Sequence, residues 1–221
     1  MSDLLEIDSV TKSFGYRVLT DIYLKCSTGD IIGLLGRNGT GKSTLLKIIF
    51  GTEGADNCFI RINGKVSSNP YITSYIAYLP QDSFLPKQLT IIQIIELYLG
   101  KEGMAWFTND IIISPLLKSK VSVLSGGELK YFEVKLLLTL PAKFILLDEP
   151  FNGIAPIVVE HLKQMIQEYS KTKGIILTDH DYRNVLDVAN SYYLLHDGAL
   201  KFIKNKDDLI RWGYLSENNK L

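Results

Sequence analysis

Residues 36–43 constrain the fold of this chain more than any other stretch. They read Gly-Arg-Asn-Gly-Thr-Gly-Lys-Ser and match the pattern GxxxxGK[ST], whose glycines let the backbone turn its N–H groups toward a phosphate. An apolar run at Ile31–Leu35 precedes them, and a helical pattern at Lys42–Phe50 follows. A strand, a phosphate-binding loop and a helix in this order predict an α/β fold that binds a nucleotide.

The side chains of this loop are expected to hold a triphosphate together with its metal ion. Lys42 is expected to reach the β- and γ-phosphates, and the Ser43 hydroxyl is expected to bind Mg²⁺. Positive φ angles at Gly39 and Gly41 would bring backbone N–H groups close to the phosphate oxygens. The candidate nucleotide-binding residues of the loop are Gly36, Asn38, Gly39, Thr40, Gly41, Lys42, Ser43 and Thr44.

Two adjacent acids follow a second apolar run, at residues 144–147. In such a pair the first carboxylate, Asp148, meets Mg²⁺, and the second, Glu149, can polarise the attacking water. Apolar strands also end in acids at ordinary turns, so this pair alone is weak. Together with the phosphate loop it predicts nucleotide hydrolysis.

A third stretch, Leu-Ser-Gly-Gly-Glu at residues 124–128, lies between the other two. Ser125, Gly126 and Gly127 open a helical pattern, and a helix start with unhindered N–H groups binds an anion without a cation. This stretch therefore predicts a second phosphate site, separate in sequence from the first.

The remaining pattern predicts one domain over residues 1–221. Fully apolar runs favour a central, mostly parallel sheet covered on both faces, and the closely spaced runs before residue 62 favour an antiparallel β subdomain beside it. Strand signals fade over residues 83–123, which favours a short α-helical subdomain inserted at about residues 82–139. The predicted strands are 4–10, 22–26, Ile31–Leu35, 59–62, Ile76–Leu79, 144–147, 175–178 and 192–195; the predicted helices are Lys42–Phe50, 126–140 and 158–171.

Composition excludes several kinds of partner. The 24 basic and 24 acidic residues cancel, and no basic stripe stands out, so direct nucleic-acid binding is not expected. Acids near the N-terminus argue against a signal peptide, and the apolar stretches are too short or interrupted to span a bilayer.

Cys26 and Cys58 lack metal-ligand spacing and are expected to be buried thiols. The tail after Lys206 is polar, and its end is expected to be exposed.

Six elements in order make the chain resemble the ATP-binding cassette family, the ATPase subunits of ABC transporters, over nearly its whole length. They are Phe14, the phosphate loop, Gln81 after an apolar run, the Leu-Ser-Gly-Gly-Glu signature, the acidic strand end, and His180. The resemblance implies a P-loop NTPase with a RecA-like core. Its cofactors would be ATP and Mg²⁺.

The resemblance also implies residue roles. Phe14 would stack on adenine, Gln81 would touch Mg²⁺ and the attacking water, and His180 would contact the γ-phosphate. The plainer alternatives are a core aromatic, a turn residue and a strand-end hydrogen bond. The implied catalytic residues are Glu149, His180, Gln81 and Lys42; the implied Mg²⁺ residues are Ser43, Gln81 and Asp148; and the signature residues Ser125, Gly126 and Gly127 would face the γ-phosphate held by a second subunit.

The implied function is ATP-driven dimer closure that powers transport through a separate transmembrane permease subunit. The partner ATPase would be a second copy or a related chain, and the location would be cytoplasmic, peripheral on the inner face of the cell membrane. A soluble cassette ATPase in assembly, repair or translation and a nucleotide switch with little turnover are the alternatives. Two departures from the family affect coupling: Ala155 replaces an aspartate, and only 44 residues separate Gln81 from Ser125.

Overall fold

The computed structural model describes residues 2–216, in which ten strands and seven α-helices are present. The strands are β1 Leu4–Ser13, β2 Arg17–Ser27, β3 Ile31–Leu35, β4 Asn57–Ile62, β5 Lys65–Val66, β6 Ile76–Leu79, β7 Phe144–Asp148, β8 Gly174–Thr178, β9 Ser191–His196 and β10 Ala199–Ile203. The helices are α1 Lys42–Phe50, α2 Ile91–Leu99, α3 Ala105–Thr108, α4 Gly126–Thr139, α5 Pro156–Ser170, α6 Tyr182–Val188 and α7 Lys206–Arg211.

A six-stranded sheet in the order β10-β9-β3-β8-β7-β6 forms the centre of the described fold. All its neighbouring pairs are parallel except β9 and β10. Every residue of β3, β7 and β8 is buried, which explains their unbroken apolar sequences. The carboxyl ends of β3, β6, β7 and β8 lie along one edge of this sheet, so the loops that follow them meet there.

A four-stranded sheet in the order β2-β1-β4-β5 lies beside the central sheet and is antiparallel throughout. Both β1 and β2 are longer than the apolar runs predict, because their polar residues alternate outward while the chain stays paired. The hairpin turns at Gly15, where the Phe14 amide donates to the Tyr16 carbonyl at 2.9 Å. The predicted mixed α/β architecture is confirmed.

The segment between β6 and α4 is less regular than its sequence pattern predicts. A capping box between Thr90 and Gln93 starts α2, but Gly100 ends it, and only short 3₁₀ turns and the four-residue α3 follow. Ile91 and Phe107 nonetheless join the same buried cluster as Leu147 of the central sheet. The apolar residues behind the predicted helical pattern pack onto the core from several short segments, not from one long helix.

A buried ion pair secures this irregular segment to α4. The Lys135 ammonium lies 2.5 Å from Asp110 Oδ2, which also accepts from the Tyr131 hydroxyl at 2.9 Å. Burial alone would raise the pKa of the Asp110 carboxyl, but hydrogen bonds from Lys135 and from the Ile113 amide hold it below its usual value. The carboxylate is therefore charged and fully engaged.

We expect Lys135→Met to lower the free energy of unfolding by about 3–5 kcal/mol, because it leaves the Asp110 carboxylate buried without its cation. Urea denaturation measures the change. Lys171→Met is the matched control: its pair with Glu168 is exposed on both sides, so its effect should stay below about 1 kcal/mol. Equal effects of the two substitutions would contradict this account.

The C-terminal elements differ from the sequence-based expectation. Strand β10 and helices α6 and α7 were not predicted, since each is short. Beyond Lys206 the chain folds back: Trp212 lies 5.9 Å from the ring of His196, and Tyr214 packs edge-on against Tyr182. Ser216 is exposed, and the rest of the predicted exposed end, residues 217–221, lies outside the described part.

Both cysteines are free thiols in the described structure, as expected, but only one is buried. Cys26 is enclosed, whereas Cys58 is half-buried on β4, so the prediction of burial is wrong for Cys58. Among residues 2–216, no helix has both the length and the apolar character needed to cross a membrane.

Candidate functional site

The phosphate loop has the backbone shape that its sequence predicts. Gly36, Gly39 and Gly41 have φ angles of 155°, 79° and 104°. Gly41 caps α1 without any side-chain hydrogen bond, so the first N–H groups of the helix remain available to an anion. A Cβ on Gly41 would come within 2.7 Å of Val18, which adds a steric reason for glycine there.

Lys42 folds back over the loop in this structure. Its ammonium donates to the Gly36 carbonyl at 2.8 Å and to the Arg37 carbonyl at 3.1 Å. Burial lowers the pKa of Lys42, while the charges of Asp148 and Glu149 oppose that change. A bound triphosphate would offer stronger acceptors than two neutral carbonyls, so the ammonium is placed to exchange partners.

The loop and the acidic strand end are joined through Ser43. Its hydroxyl donates to Asp148 Oδ1 at 3.0 Å, and the Tyr78 hydroxyl donates to Asp148 Oδ2 at 3.2 Å. Burial raises the pKa of the Asp148 carboxyl, and these two hydrogen bonds oppose the increase. Sequence reasoning missed Tyr78. The only indication in the sequence was a side chain with a hydroxyl group on the strand that precedes Gln81.

The residues around Asp148 fit Mg²⁺. This ion prefers oxygen ligands, keeps several waters, and is bound by one or two protein groups together with substrate phosphates. Ser43 and Asp148 supply a hydroxyl and a carboxylate oxygen side by side. The described residues contain no cluster of three His, Cys, Asp or Glu side chains that could hold a metal alone, so the phosphates would have to complete the coordination.

Three side chains converge on the Glu149 carboxylate. Gln81 Nε2 lies 2.8 Å and His180 Nε2 lies 2.9 Å from Oε1, and Asn152 Nδ2 lies 3.3 Å from Oε2. Gln81 Nε2 also lies 3.2 Å from Ser43 Oγ, so one amide bridges the candidate metal-binding hydroxyl and the candidate base. Glu149 itself has a positive φ of 56°, which turns its side chain off the end of β7. Sequence reasoning missed Asn152.

One cavity of about 530 Å³ is lined by Gln81, Glu149 and His180 together with Phe14 and the loop. Phe14 is 50% exposed, which excludes the alternative that it is a core aromatic. The Lys12 ammonium lies 4.4 Å from the centre of its ring, so one face is covered and a base would stack on the other. Tyr16 lines the same cavity and was not predicted to do so.

The signature residues form a separate site. Ser125 caps α4 in a reciprocal arrangement with Glu128, whose Oε2 accepts from the Ser125 amide at 2.8 Å and hydroxyl at 2.7 Å. Ser125, Gly126 and Gly127 line a cavity of about 360 Å³ that the phosphate loop does not share. Within one chain, the two predicted phosphate sites are therefore apart.

A third cavity, of about 300 Å³, lies behind Gln81 and contains an unusual carboxylate. Glu133 on α4 is 1% exposed, and within the described structure neither carboxylate oxygen has a hydrogen-bond partner. The Lys130 ammonium lies 3.9 Å from Oε2. Burial raises the pKa of the Glu133 carboxyl; the Ser83 hydroxyl, Lys130 and the Phe84 amide oppose that increase.

We expect Glu133→Gln to stabilise the protein at pH 8 and to do so less at pH 5. A carboxyl whose pKa is higher in the folded state destabilises that state once ionised, so stability is lost as the pH rises above about 4.3 and through the raised pKa. Removing the charge should raise Tm at pH 8 by about 2–8 °C. Thermal unfolding at the two pH values checks this; a gain that does not depend on pH would contradict it.

Comparison with known proteins identifies the family of this chain. The family model described as ABC transporter matches residues 19–152. The lipopolysaccharide export system ATP-binding protein LptB of Haemophilus influenzae is 32% identical, with 99% of each chain covered, and LptB of Acidithiobacillus ferridurans is 32% identical, with 90% of this chain and 89% of the relative covered. The chain therefore belongs to the ABC transporter family.

Solved structures give the same class. The structure of an ATP-binding subunit of an ABC transporter superposes with a TM-score of 0.82 at 26% identity, covering 96% of this chain and 94% of that one. An ATP-bound bacterial Atm1-family ABC exporter shares the fold at 18% identity, with a TM-score of 0.84, over 100% of this chain and 43% of its own. This chain is an ATPase, the ATP-binding subunit that powers a membrane transporter.

Proposed function

We propose that this ATPase hydrolyses Mg²⁺-ATP in the cavity between the phosphate loop and Glu149. The loop N–H groups and Lys42 would hold the β- and γ-phosphates, and Phe14 would stack on adenine. Ser43, Asp148 and Gln81 would bind Mg²⁺, which supplies charge neutralisation on the phosphates when bound. The Gln81 amide, in contact with both Ser43 and Glu149, is the observation that carries this proposal.

Glu149 is the proposed general base. A water on the γ-phosphate side would give its proton to the Glu149 carboxylate, and His180, whose Nε2 lies 2.9 Å from Glu149 Oε1, would contact the γ-phosphate. In this structure the Glu149 carboxylate accepts hydrogen bonds from Gln81 and Asn152, and His180 Nε2 lies 2.9 Å from Oε1. ATP binding would have to release at least one of these contacts before the water could approach.

A complete site would need two chains. Ser125, Gly126 and Gly127 offer a helix N-terminus in a cavity of their own, which supports their action on ATP held by a partner's phosphate loop. A second copy of this chain is the simplest partner, because each copy would then complete the other's site. Closure on ATP and opening after hydrolysis would drive the transporter.

The permease subunit would dock in an apolar groove on the opposite side of β6. This groove has a volume of about 490 Å³ and is rich in aromatic side chains. Phe50, Tyr71, Tyr78, Phe84 and Tyr98 line it. The Tyr78 hydroxyl also donates to Asp148, so a permease helix inserted here would contact a residue that itself contacts the candidate metal site. The chain would thus work at the cytoplasmic face of the membrane, attached through its permease.

Rebinding to stripped membranes tests the docking proposal. Membranes from the source organism, washed free of this subunit, should bind added protein saturably. Tyr98→Glu, which places a charge in the groove, should abolish rebinding while ATPase activity remains. Tyr23→Glu is the matched control, since Tyr23 is similarly exposed but lies on β2. Equal rebinding of the two variants would reject the groove as the docking site.

A further inference from the structure

Gln81 depends on a contact from another element of the fold. It follows β6 in an exposed loop, yet its side chain must meet both Ser43 Oγ and Glu149 Oε1. A shift of about 1 Å in a positioning group can change a rate by about 100-fold. The backbone at Gln81 therefore has to be held in place.

Lys130 provides that hold from the second turn of α4. Its ammonium donates to the Gln81 carbonyl at 2.9 Å and to the Pro80 carbonyl at 3.4 Å. The side chain is only 11% exposed, and the Glu133 carboxylate, 3.9 Å away, compensates its charge. Two of the three donors of the ammonium are used by these carbonyls, and the Glu133 carboxylate is close enough for charge attraction but not for a hydrogen bond.

The position of Lys130 on α4 connects its contact with Gln81 to the signature residues. The helix begins at the signature residue Ser125, and Gly126, Lys130, Gln81 and Glu149 line one cavity. A buried ion pair is a costly way to secure a loop, because apolar residues of similar volume are often as stable. An ammonium can donate to both carbonyls at once, which an apolar side chain of similar volume cannot do, so Lys130 fixes the geometry of the loop.

We propose that Lys130 is a positioning residue for Gln81, and that it ties the placement of Gln81 to the orientation of the signature helix. The inference rests on the proposed role of Gln81 at Mg²⁺ and the attacking water. Lys130 touches neither nucleotide nor metal; it acts through the carbonyls of Pro80 and Gln81.

The test compares five forms of the full chain: wild type, Lys130→Met, Lys130→Arg, Gln81→Ala, and Gln81→Ala with Lys130→Met. Lys130→Met should lower kcat about tenfold and raise the Mg²⁺ concentration for half-maximal activity several-fold. Lys130→Arg should restore most of both, because a guanidinium can donate to two carbonyls. In the Gln81→Ala background, Lys130→Met should cause no further loss.

Binding of a fluorescent ATP analogue, with Mg²⁺ and with EDTA, supplies a readout apart from turnover. Lys130→Met should weaken binding several-fold with Mg²⁺ and less than twofold with EDTA. If that variant does not fold, Lys130→Gln replaces it and should show the same changes to a smaller degree. Lys171→Met is the exposed control and should match wild type.

Two sets of outcomes distinguish a failure of the role inferred for Lys130 from a failure of the role proposed for Gln81. Additive losses in the double variant, or a lower Tm with unchanged Mg²⁺ dependence, would overturn the role of Lys130 alone. A Gln81→Ala variant with wild-type kcat and Mg²⁺ dependence would overturn the proposed role of Gln81, and the inference with it.

Discussion

Glu149→Gln is expected to lower kcat for ATP by about 10²–10⁴-fold and to leave ATP binding within a few-fold of wild type. An amide cannot take the proton of the attacking water, whereas it has nearly the same size and still accepts from Gln81 or His180 through its carbonyl oxygen. Phosphate release under saturating Mg²⁺-ATP measures the rate, and equilibrium titration with a fluorescent ATP analogue measures binding.

Asp181→Asn is the matched control for Glu149→Gln. Asp181 is an exposed carboxylate that pairs with Arg183 just beyond the site, so its loss should change kcat less than twofold. Equal rates for Glu149→Gln and wild type would show that Glu149 is not the base. The binding groups would then have to supply the acceleration by orientation and charge alone.

Lys42→Ala is expected to weaken ATP binding by about 10–100-fold, because hydrogen bonds to charged groups contribute about 1.5–3 kcal/mol and each 1.4 kcal/mol is a factor of ten. Its kcat should fall by a further 10²–10³, since a preorganised donor to the transferring phosphoryl group is lost. The carbonyls of Gly36 and Arg37 lose their donor as well, so a modest decrease in Tm is expected.

Lys47→Ala controls for the loss of a positive charge on the same helix. Its side chain is exposed and lies in the groove rather than in the nucleotide cavity, so ATP affinity should stay within twofold of wild type. A common loss in both variants would indicate a general charge effect and would remove Lys42 from its proposed place on the phosphates.

Much of the nucleotide cavity could be predicted from the sequence because its parts are local. A loop that needs three positive φ angles requires glycines, and a strand that must be buried on both sides requires an unbroken apolar run. Consecutive residues meet such requirements, so the pattern is visible in the sequence. They predicted the phosphate loop, the acidic strand end and the parallel sheet.

Contacts between distant segments could not be predicted in the same way. Tyr78 reaches Asp148 and Lys130 reaches the Gln81 carbonyl, but each looks ordinary in its own segment. The buried Glu133 gives no signal either, because a charged residue on a helix usually faces water. Tyr78 meets Asp148 because β6 pairs with β7, and Lys130 meets Gln81 because α4 packs against the loop after β6.

The C-terminal elements could not be predicted for a different reason. The segment after Lys206 is polar on average, yet Leu209 is buried, and Trp212 and Tyr214 pack against the core. Arg37 of the phosphate loop also donates to the Gly213 carbonyl at 2.7 Å. Two aromatic residues outweigh average composition when their rings find a surface to cover.

The mass of Glu149→Gln in solution, measured by light scattering with and without Mg²⁺-ATP, tests the central claim that two chains build each site. We expect a monomer without nucleotide and a dimer with it, since bound ATP would link the phosphate loop of one copy to Ser125 and Gly127 of the other. Adding Ser125→Arg should prevent the dimer while ATP still binds. An ATP-loaded Glu149→Gln protein that stays monomeric at high concentration, or a dimer indifferent to Ser125→Arg, would contradict the account.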